Sequence, residues 1–585
     1  MKPRAKSTSF TSDMFVRQYR PALISALVFS IADMADALVV GNRMGTLGLA
    51  AIAFSLPVYM FFNLIMHSLG LGGSIIFSKY MAKGQEKEAR SSFQGVLTTL
   101  LITGVAVALL VNIFLDNILI LLGASKSNPE LFHAAGVYLR CIITATPLFF
   151  FSYSVAYYLR NDDLEKVASI CSTIGSISDF TLNILLVLIL DMGVLGAGLA
   201  TAVGVTLTSI IQFFFIQRKK KHIGFSEYAP NFKDLAASFK LGASSNISYI
   251  YSFIFLWLGN NAMMRLAGED GVAIFDVMQN MTYLVIYIYG AISMASQPII
   301  STYEGECNYK ECDRLQAFVK GLTTVNAIIL ILIFNLSPPF ILRLFGITAA
   351  SSVAYGSFAL RVYSLCVIFV GLNIAIANYY TSRNISFPPF LLATLRGMAI
   401  LIPTTIICIF FGKYTFWFTY PITEALSLLV ISIYLKFFRK HSKRIDKARI
   451  YTASLGSDIS ELGKSVEEIE AFCEKWEGTP KQMYYVQMTV EEMCSAIINH
   501  GFKKMPGHIG RIQLTLVALD DKAFSLHIRD NARTFNPFDM DQKALDELAD
   551  EDSDFNALGM EVIKNKAAAF YYRRYQGFNT MVVMI

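Results

Sequence analysis

Segments of about 20 apolar residues recur through the first three quarters of this chain, each long enough to cross the hydrocarbon core of a bilayer as a helix. They begin near Pro21, Leu49, Phe93, Val137, Ala168, Val194, Leu241, Val272, Gly321, Ala354, Pro388 and Tyr414, about twelve spans in all. Backbone amides in hydrocarbon must be satisfied within their own segment, so such spans are helices and the chain is a polytopic α-helical membrane protein. Of its 585 residues, 54% are hydrophobic and 16% charged, against about 25% charged in soluble proteins. That excludes a conventional water-soluble enzyme, a disordered chain and a disulfide-stapled scaffold. The eight cysteines form no framework: most lie in apolar segments, and Cys307 and Cys312 lack metal-site spacing.

The charges divide the chain. From about residue 445 onward roughly 38 of about 141 residues are charged, a soluble composition with a net acidic balance. The preceding part is net basic, and its lysines and arginines alternate in the connections between spans. Arg4, Arg17 and Arg20 precede the first span; Lys79, Lys83, Lys87 and Arg90 follow the second; Arg218 to Lys221 follow the sixth; a basic run around Lys436 to Arg449 follows the last. The positive-inside rule then puts both termini in the cytoplasm, in a bacterial inner membrane. The basic connection of residues 217–240 falls midway and predicts two six-helix lobes related as parallel repeats. The expected division is a transporter-like body over 1–440, a basic linker over 441–455 and a cytoplasmic α/β sandwich over 456–585.

Carboxylates at membrane depth are costly and mark functional positions. The first span holds Asp33 and Asp36, the fifth Asp179 and Asn183, and the sixth Thr201. Each pair, three or four residues apart, shares a helix face. Two carboxylates with an amide and a hydroxyl offer oxygen ligands, which suit Na+ or a proton and not a soft transition metal. Asp36 and Asp179 are therefore the candidate Na+ or H+ ligands. Asp276, Gln279, Asn280, Gln297, Asn373 and Asn378 are polar groups of the second half that line a cavity or cross-link helices. His67 reads as a hydrogen-bonded packing residue.

The body resembles the multidrug and toxic compound extrusion (MATE) transporters. MADALVVGNRMGTLGLAAIAFSLPV is similar to that family's first-span signature, GLGGSIIFSKYMAKGQEKEA to its second span and following loop, and GVLGAGLAT, QPIISTYEG and PITEALSLL to later landmarks, the last including Glu424. The resemblance covers about residues 15–440. It implies cation-coupled alternating access, with the family's first-span aspartate on Asp36 and its threonine on Thr201. The family's fifth-span pair, Asn then Asp, falls in reversed order on Asp179 and Asn183. The charge of the site is kept, while one carboxylate moves by about 6 Å along the helix.

In the tail, residues 461–476 and 480–500 read as amphipathic helices. IQLTLVAL and FSLHI alternate as strands around a turn at Asp520-Asp521, a helix is expected near residues 558–568, and two strands close the chain. In order, VEEMCSAIINHG, IRDNARTFNPF and ALGMEVIK resemble the ATP-binding fold of the GHKL superfamily, nearest to anti-sigma-factor serine kinases. The resemblance places the catalytic glutamate on Glu492, the adenine-recognising aspartate on Asp530 and a phosphate-loop glycine on Gly559. It also departs from that pattern. The magnesium-holding asparagine falls on Ala496, with Asn499 as the nearest substitute, and a glycine falls on Ala532. ATP binding without strong Mg2+-dependent activity is the expectation.

These features predict a Na+- or H+-coupled antiporter exporting amphipathic organic solutes, carrying a tail that binds nucleotide or a cytoplasmic regulatory protein. The alternative is a membrane-anchored signalling protein whose tail binds or phosphorylates a regulator. A lipid-linked saccharide flippase ranks below both, since it calls for a cationic cavity while the lysines and arginines of the body map to loops. The acidic balance of the tail disfavours nucleic acid.

Overall fold

The computed structural model describes residues 10–82, 85–161, 164–218, 223, 230–438, 445–456, 458–502, 510–519, 523–533, 563, 565, 567–575 and 578–585. Among them nine helices are long and apolar enough to cross a membrane, or up to eleven when the bent pairs Pro129–Thr144 with Thr146–Asn161 and Ala350–Ser364 with Val367–Ser382 each count as one span. Large apolar side chains such as Ile113, Leu336 and Phe410 stand exposed on the outside of the bundle. A continuous apolar exterior of this kind faces lipid and not water.

The 58-residue helix Ser248–Gly305 would run about 87 Å if straight, roughly twice the thickness of a bilayer. It folds back at Gly268, where φ 65° and ψ −151° leave the helical region, a conformation that a Cβ would oppose. The Phe255 and Phe275 rings on its two arms meet with centroids 5.8 Å apart. Gly45, with φ 62° and ψ −142°, interrupts Ala35–Ala53 in the same way.

These breaks expose an internal repeat that sequence comparison of the halves does not reveal. Gly268 follows Gly45 by 223 residues (268 less 45), and Gly346 follows Gly123 by the same interval (346 less 123). Helices Glu86–Ile113 and Leu115–Leu122 recur at that spacing as Tyr309–Leu336 and Pro338–Leu344 (309 less 86, 338 less 115). A bent helix pair follows in each half. Later, each half has a π-helical turn, at Ile184–Ile189 and at Leu395–Ala399. The expected two-lobe organisation is thus present as two copies of one topology running in the same direction.

At the end of the bundle carrying Gly45, Gly123, Gly268 and Gly346, the halves are joined directly. Asn42 Nδ2 donates to the Leu344 carbonyl at 2.6 Å, Asn128 Nδ2 to Glu269 Oε2 at 3.0 Å, and Asn261 Nδ2 to the Leu121 carbonyl at 3.1 Å. Gly41 and Gly346 approach so closely that a Cβ on Gly346 would lie 1.8 Å from the Gly41 oxygen.

The tail is a five-stranded antiparallel sheet, β1 (Ile450–Leu455), β2 (Ile512–Ala518), β3 (Phe524–Asp530), β4 (Ala569–Tyr575) and β5 (Phe578–Met584), in the order β1-β2-β3-β5-β4. Helices Ser460–Lys475 and Pro480–Ala496 cover one face, where Ile469, Val490 and Met493 pack on Leu514, Leu526, Ile528 and Val583. A capping box between Thr479 and Gln482, with Pro480 in the first turn, starts the second helix. Residues 450–455, read from sequence as linker, supply the edge strand β1. Most of the helix expected near residues 558–568 lies outside the described residues.

Candidate functional site

The first helix, Phe10–Asp33, pauses at Met34 and resumes at Ala35, which sends its two aspartates to different partners. Asp36 turns into the first half. Its Oδ2 accepts hydrogen bonds from Tyr138 at 2.8 Å and Thr201 at 3.2 Å, and its Oδ1 accepts one from Asn183 Nδ2 at 2.7 Å. The same amide donates to Asp179 Oδ1 at 3.2 Å. Four of the five residues singled out from sequence thus form one cluster, to which Tyr138 is an addition. Asn183 is fully buried, and its Oδ1 has no partner. It also stands directly before the π-helical turn Ile184–Ile189, a kind of local irregularity found often at functional sites. Asp33, by contrast, accepts a hydrogen bond from Tyr287 in the second half.

Among the described residues no three His, Cys, Asp or Glu side chains converge as metal ligands. An alkali cation would instead rest on two carboxylates with the amide and hydroxyl oxygens around them. The unpartnered Asn183 Oδ1 is an acceptor that either such a cation or a protonated carboxyl would satisfy.

The cluster forms one wall of a cavity of about 500 Å³ between the halves. Asp33, Asp36, Asp179 and Asp276 line it, together with Asn280 and the tyrosines Tyr59, Tyr138, Tyr153, Tyr249, Tyr283 and Tyr287. Asp276 and Asn280 come from the second arm of the Gly268 hairpin and repeat the pairing across the cleft, Asn280 Nδ2 donating to Asp276 Oδ2 at 3.3 Å. Four carboxylates with six tyrosines and Phe149 in one cavity favour an organic cation with apolar bulk. Of the other polar groups, Asn373 bonds to Glu424, Asn378 to Ser296 and His67 to Tyr157, all cross-linking helices.

The second half has a partly buried polar cluster of another kind. Arg396, in the π-helical turn Leu395–Ala399, pairs with Glu424 at 2.8 Å, and Asn373 Nδ2 donates to Glu424 Oε2 at 2.7 Å. This corrects the reading that every lysine and arginine of the body maps to a loop, since Arg396 lies inside the apolar span Phe387–Phe410. A solitary arginine in an apolar run carries no periodic signal; only the fold brings Glu424 to it. The pair is self-neutralising, so the unbalanced charge at membrane depth belongs to the aspartates of the cavity.

In the tail, Asp530 ends β3 beside Asn579 of β5. Its Oδ1 accepts hydrogen bonds from the Ala532 amide and from Asn579 Nδ2, both at 2.8 Å, whereas its Oδ2 is buried without a partner. Burial pushes the Asp530 carboxyl up to about 6, partly offset by those donors. A buried acceptor without a partner fits recognition of the adenine amino group. Glu492 is half-buried, and burial together with Glu491 raises its carboxyl. Ala496 is buried on the same helix and offers no magnesium ligand. Asn499 follows in a π-helical stretch, Ile497–Phe502, on the face of Glu492 seven residues earlier. Gly559 lies outside the described residues. The residues present fit adenine recognition, and they do not fit the magnesium-bound phosphates.

With this geometry in place, comparison with known proteins is direct. Residues 21–185 match the MatE family, and residues 456–585 match the histidine kinase-like ATPase domain. The chain is 24% identical over 451 residues to the probable multidrug resistance protein YoeA of Bacillus subtilis, covering 72% of this chain and 92% of that protein. It is 21% identical over 440 residues to the multidrug export protein MepA of Staphylococcus saprophyticus, covering 74% and 94%. Among solved structures, the inward-facing conformation of a multidrug resistance MATE family transporter of the MOP superfamily superposes with a TM-score of 0.65 at 19% identity, over 72% of this chain and 99% of the other. An outward-facing conformation described in the same terms gives 0.56 at 19% identity, over 74% and 96%.

Proposed function

We propose that this chain, a multi-pass membrane protein joining a MATE-family domain to a histidine kinase-like ATPase domain, is a Na+- or H+-coupled antiporter that exports amphipathic organic cations. The observation that carries this reading is the cavity between the halves, where four carboxylates from both halves face six tyrosines. With the Gly268 hairpin counted as two crossings, the bundle makes twelve, and both termini lie in the cytoplasm of a bacterial inner membrane. The multidrug exporters among its relatives are in keeping with such a cargo.

Asp36 is the centre of the coupling site. Three donors from three helices hold its carboxylate. A proton or cation arriving there displaces at least one donor and frees Asn183 at the edge of its π-helical turn. The helices carrying Tyr138, Asn183 and Thr201 then lose their common partner, and the cavity wall changes shape. Cation and cargo thereby compete through the conformation of one half, which is the requirement for exchange.

The test is flux in proteoliposomes holding the full-length protein, with ethidium as cargo and Na+ and H+ gradients imposed separately. Ethidium should move against one of the two gradients and stop when that gradient is collapsed. Equal flux with and without both gradients would rule out coupling.

The tail is proposed as a nucleotide-binding regulatory domain, on the support of Asp530 and its unpartnered Oδ2. Its pH response has a definite sign. The folded carboxyl is raised to about 6 from 3.8, so the protonated form is favoured, and the stability it contributes is full below about pH 4 and lost as pH rises through 6. Adenine needs the acceptor form. Binding of ATP to the full-length protein should therefore be about tenfold weaker at pH 5 than at pH 7, following the ionised fraction of Asp530. Fluorescence titration with an ATP analogue measures this, and an affinity flat across that interval counts against Asp530 as the adenine acceptor.

A further inference from the structure

Strand β2 is buried at every position, although its alternating Gln513 and Thr515 belong to the sheet face opposite the two helices. The centre of that face does not meet water, whereas Ser454 and Tyr571 toward its edges are exposed. It rests on the end of the bundle away from the positive-φ glycines, and several of its polar groups find partners there. Arg529 of β3, 3% exposed, pairs with Glu306 just past the Gly268 hairpin, and its guanidinium lies 4.7 Å from the centre of the Tyr303 ring. Tyr303 donates to Gln513 Oε1 at 2.9 Å, and Asn308 Nδ2 donates to Thr515 Oγ1 at 3.0 Å. Burial lifts the Glu306 carboxyl while Arg529 draws it down, the balance expected of a desolvated ion pair.

The same sheet also touches the start of the first helix. Arg511 pairs with Asp13 at 2.9 Å, and the Phe10 and Phe578 rings meet edge to face at 5.2 Å. Two segments are thus held by one rigid sheet: the beginning of the first half, at Phe10 to Asp13, and the turn from Glu306 to Asn308 in the second half. Thr11 links them directly, with Tyr303 at 2.9 Å and with Glu311. Those segments lead straight to the cavity. The first helix continues to Asp33 and Asp36, and the hairpin arm ending at Gly305 carries Asp276, Asn280 and Tyr287.

We propose that the tail is an intramolecular strap: its open sheet face binds both halves at this end, and while it is docked the halves cannot separate there. Alternating access requires that the cavity open at this end in one part of the cycle, so docking and turnover oppose each other. The proposal rests on the transporter reading given above. The chemistry of the contact suits a reversible strap. Apart from Phe578, which packs on the apolar core of the bundle, it is polar and ion-paired, as contacts between mobile domains are. The Arg529–Glu306 pair is deeply buried, so separating it requires rehydration of both charges.

The experiment uses the full-length protein with Phe10→Cys and Phe578→Cys, in a background with Cys141→Ser and Cys307→Ser, since the other native cysteines are buried. A short bis-maleimide bridges the pair, and a monofunctional maleimide provides the unbridged control. Equilibrium binding of ethidium and its gradient-driven export from proteoliposomes are measured on both. The expected result is ethidium binding by bridged protein with export at least tenfold slower than the control. Binding together with export at the control rate would overturn the strap, because the sheet would then ride through the cycle without restraining it. An unbridged control that neither binds nor exports ethidium removes the transporter reading, and the strap falls with it. The two failures are thus told apart by the control.

Discussion

Asp36→Asn is expected to lower gradient-driven export of ethidium by about 100-fold while leaving its equilibrium binding within a few fold, because a coupling free energy of about 3 kcal/mol is lost without loss of the cavity. The substitution is nearly isosteric, so the packing of the first helix survives. What changes is the hydrogen-bonding pattern. Tyr138, Thr201 and the Asn183 amide all donate to Asp36, and an asparagine can accept on one atom only, so at least one donor is orphaned and no ionisable group remains at the junction of three helices. Asp179→Asn should cost less, about tenfold, since Asp179 shares a single donor with Asp36. Flux in proteoliposomes, with binding measured on the same preparations, separates the two effects. Export at the wild-type rate in both variants would remove the cluster from the mechanism.

Glu424→Ala is expected to destabilise the protein by about 1.5–3 kcal/mol, because the partly buried Arg396 loses its charge-assisted hydrogen bonds. Arg396 would then stand in an apolar span with Asn373 as its neighbour and no counter-charge. The double variant Arg396→Met with Glu424→Gln should recover most of that loss, since removing both charges also removes the need to desolvate them. Thermal unfolding of the wild type, Glu424→Ala and the double variant in one detergent measures both effects. A double variant as unstable as the single one would show that the pair contributes through packing and not through its charge.

The Arg396 pair also shows where sequence reading stops. Glu424 was visible as part of PITEALSLL and Arg396 as a charge in an apolar stretch, but the two stand 28 residues apart in chain order, with no periodicity to connect them. Asp36, Asp179, Asn183 and Thr201 were legible as candidates from their depth in the spans and their spacing, and a family resemblance then supplied the positions of Asp36 and Thr201. Tyr138 lacked such help, being one tyrosine among 28. Asp276 was seen as a polar group at depth, yet nothing in the chain placed it across the cleft from Asp36. That required the hairpin at Gly268.

Hydropathy by itself determined the membrane-spanning body, the soluble tail and their order, because transfer of apolar segments into hydrocarbon and of charged ones into water is a local, additive property of the residues. Alternation likewise determined the strands IQLTLVAL and FSLHI and which side chains share a face. What covers each face was decided only by the tertiary structure. A polar face reads as solvated in any sequence, and here it is buried against the bundle, with Arg529 on Glu306 and Gln513 on Tyr303. Such contacts join residues more than 200 positions apart, and their energy depends on desolvation and exact partnering, quantities that belong to a place in space and not to a residue in a chain.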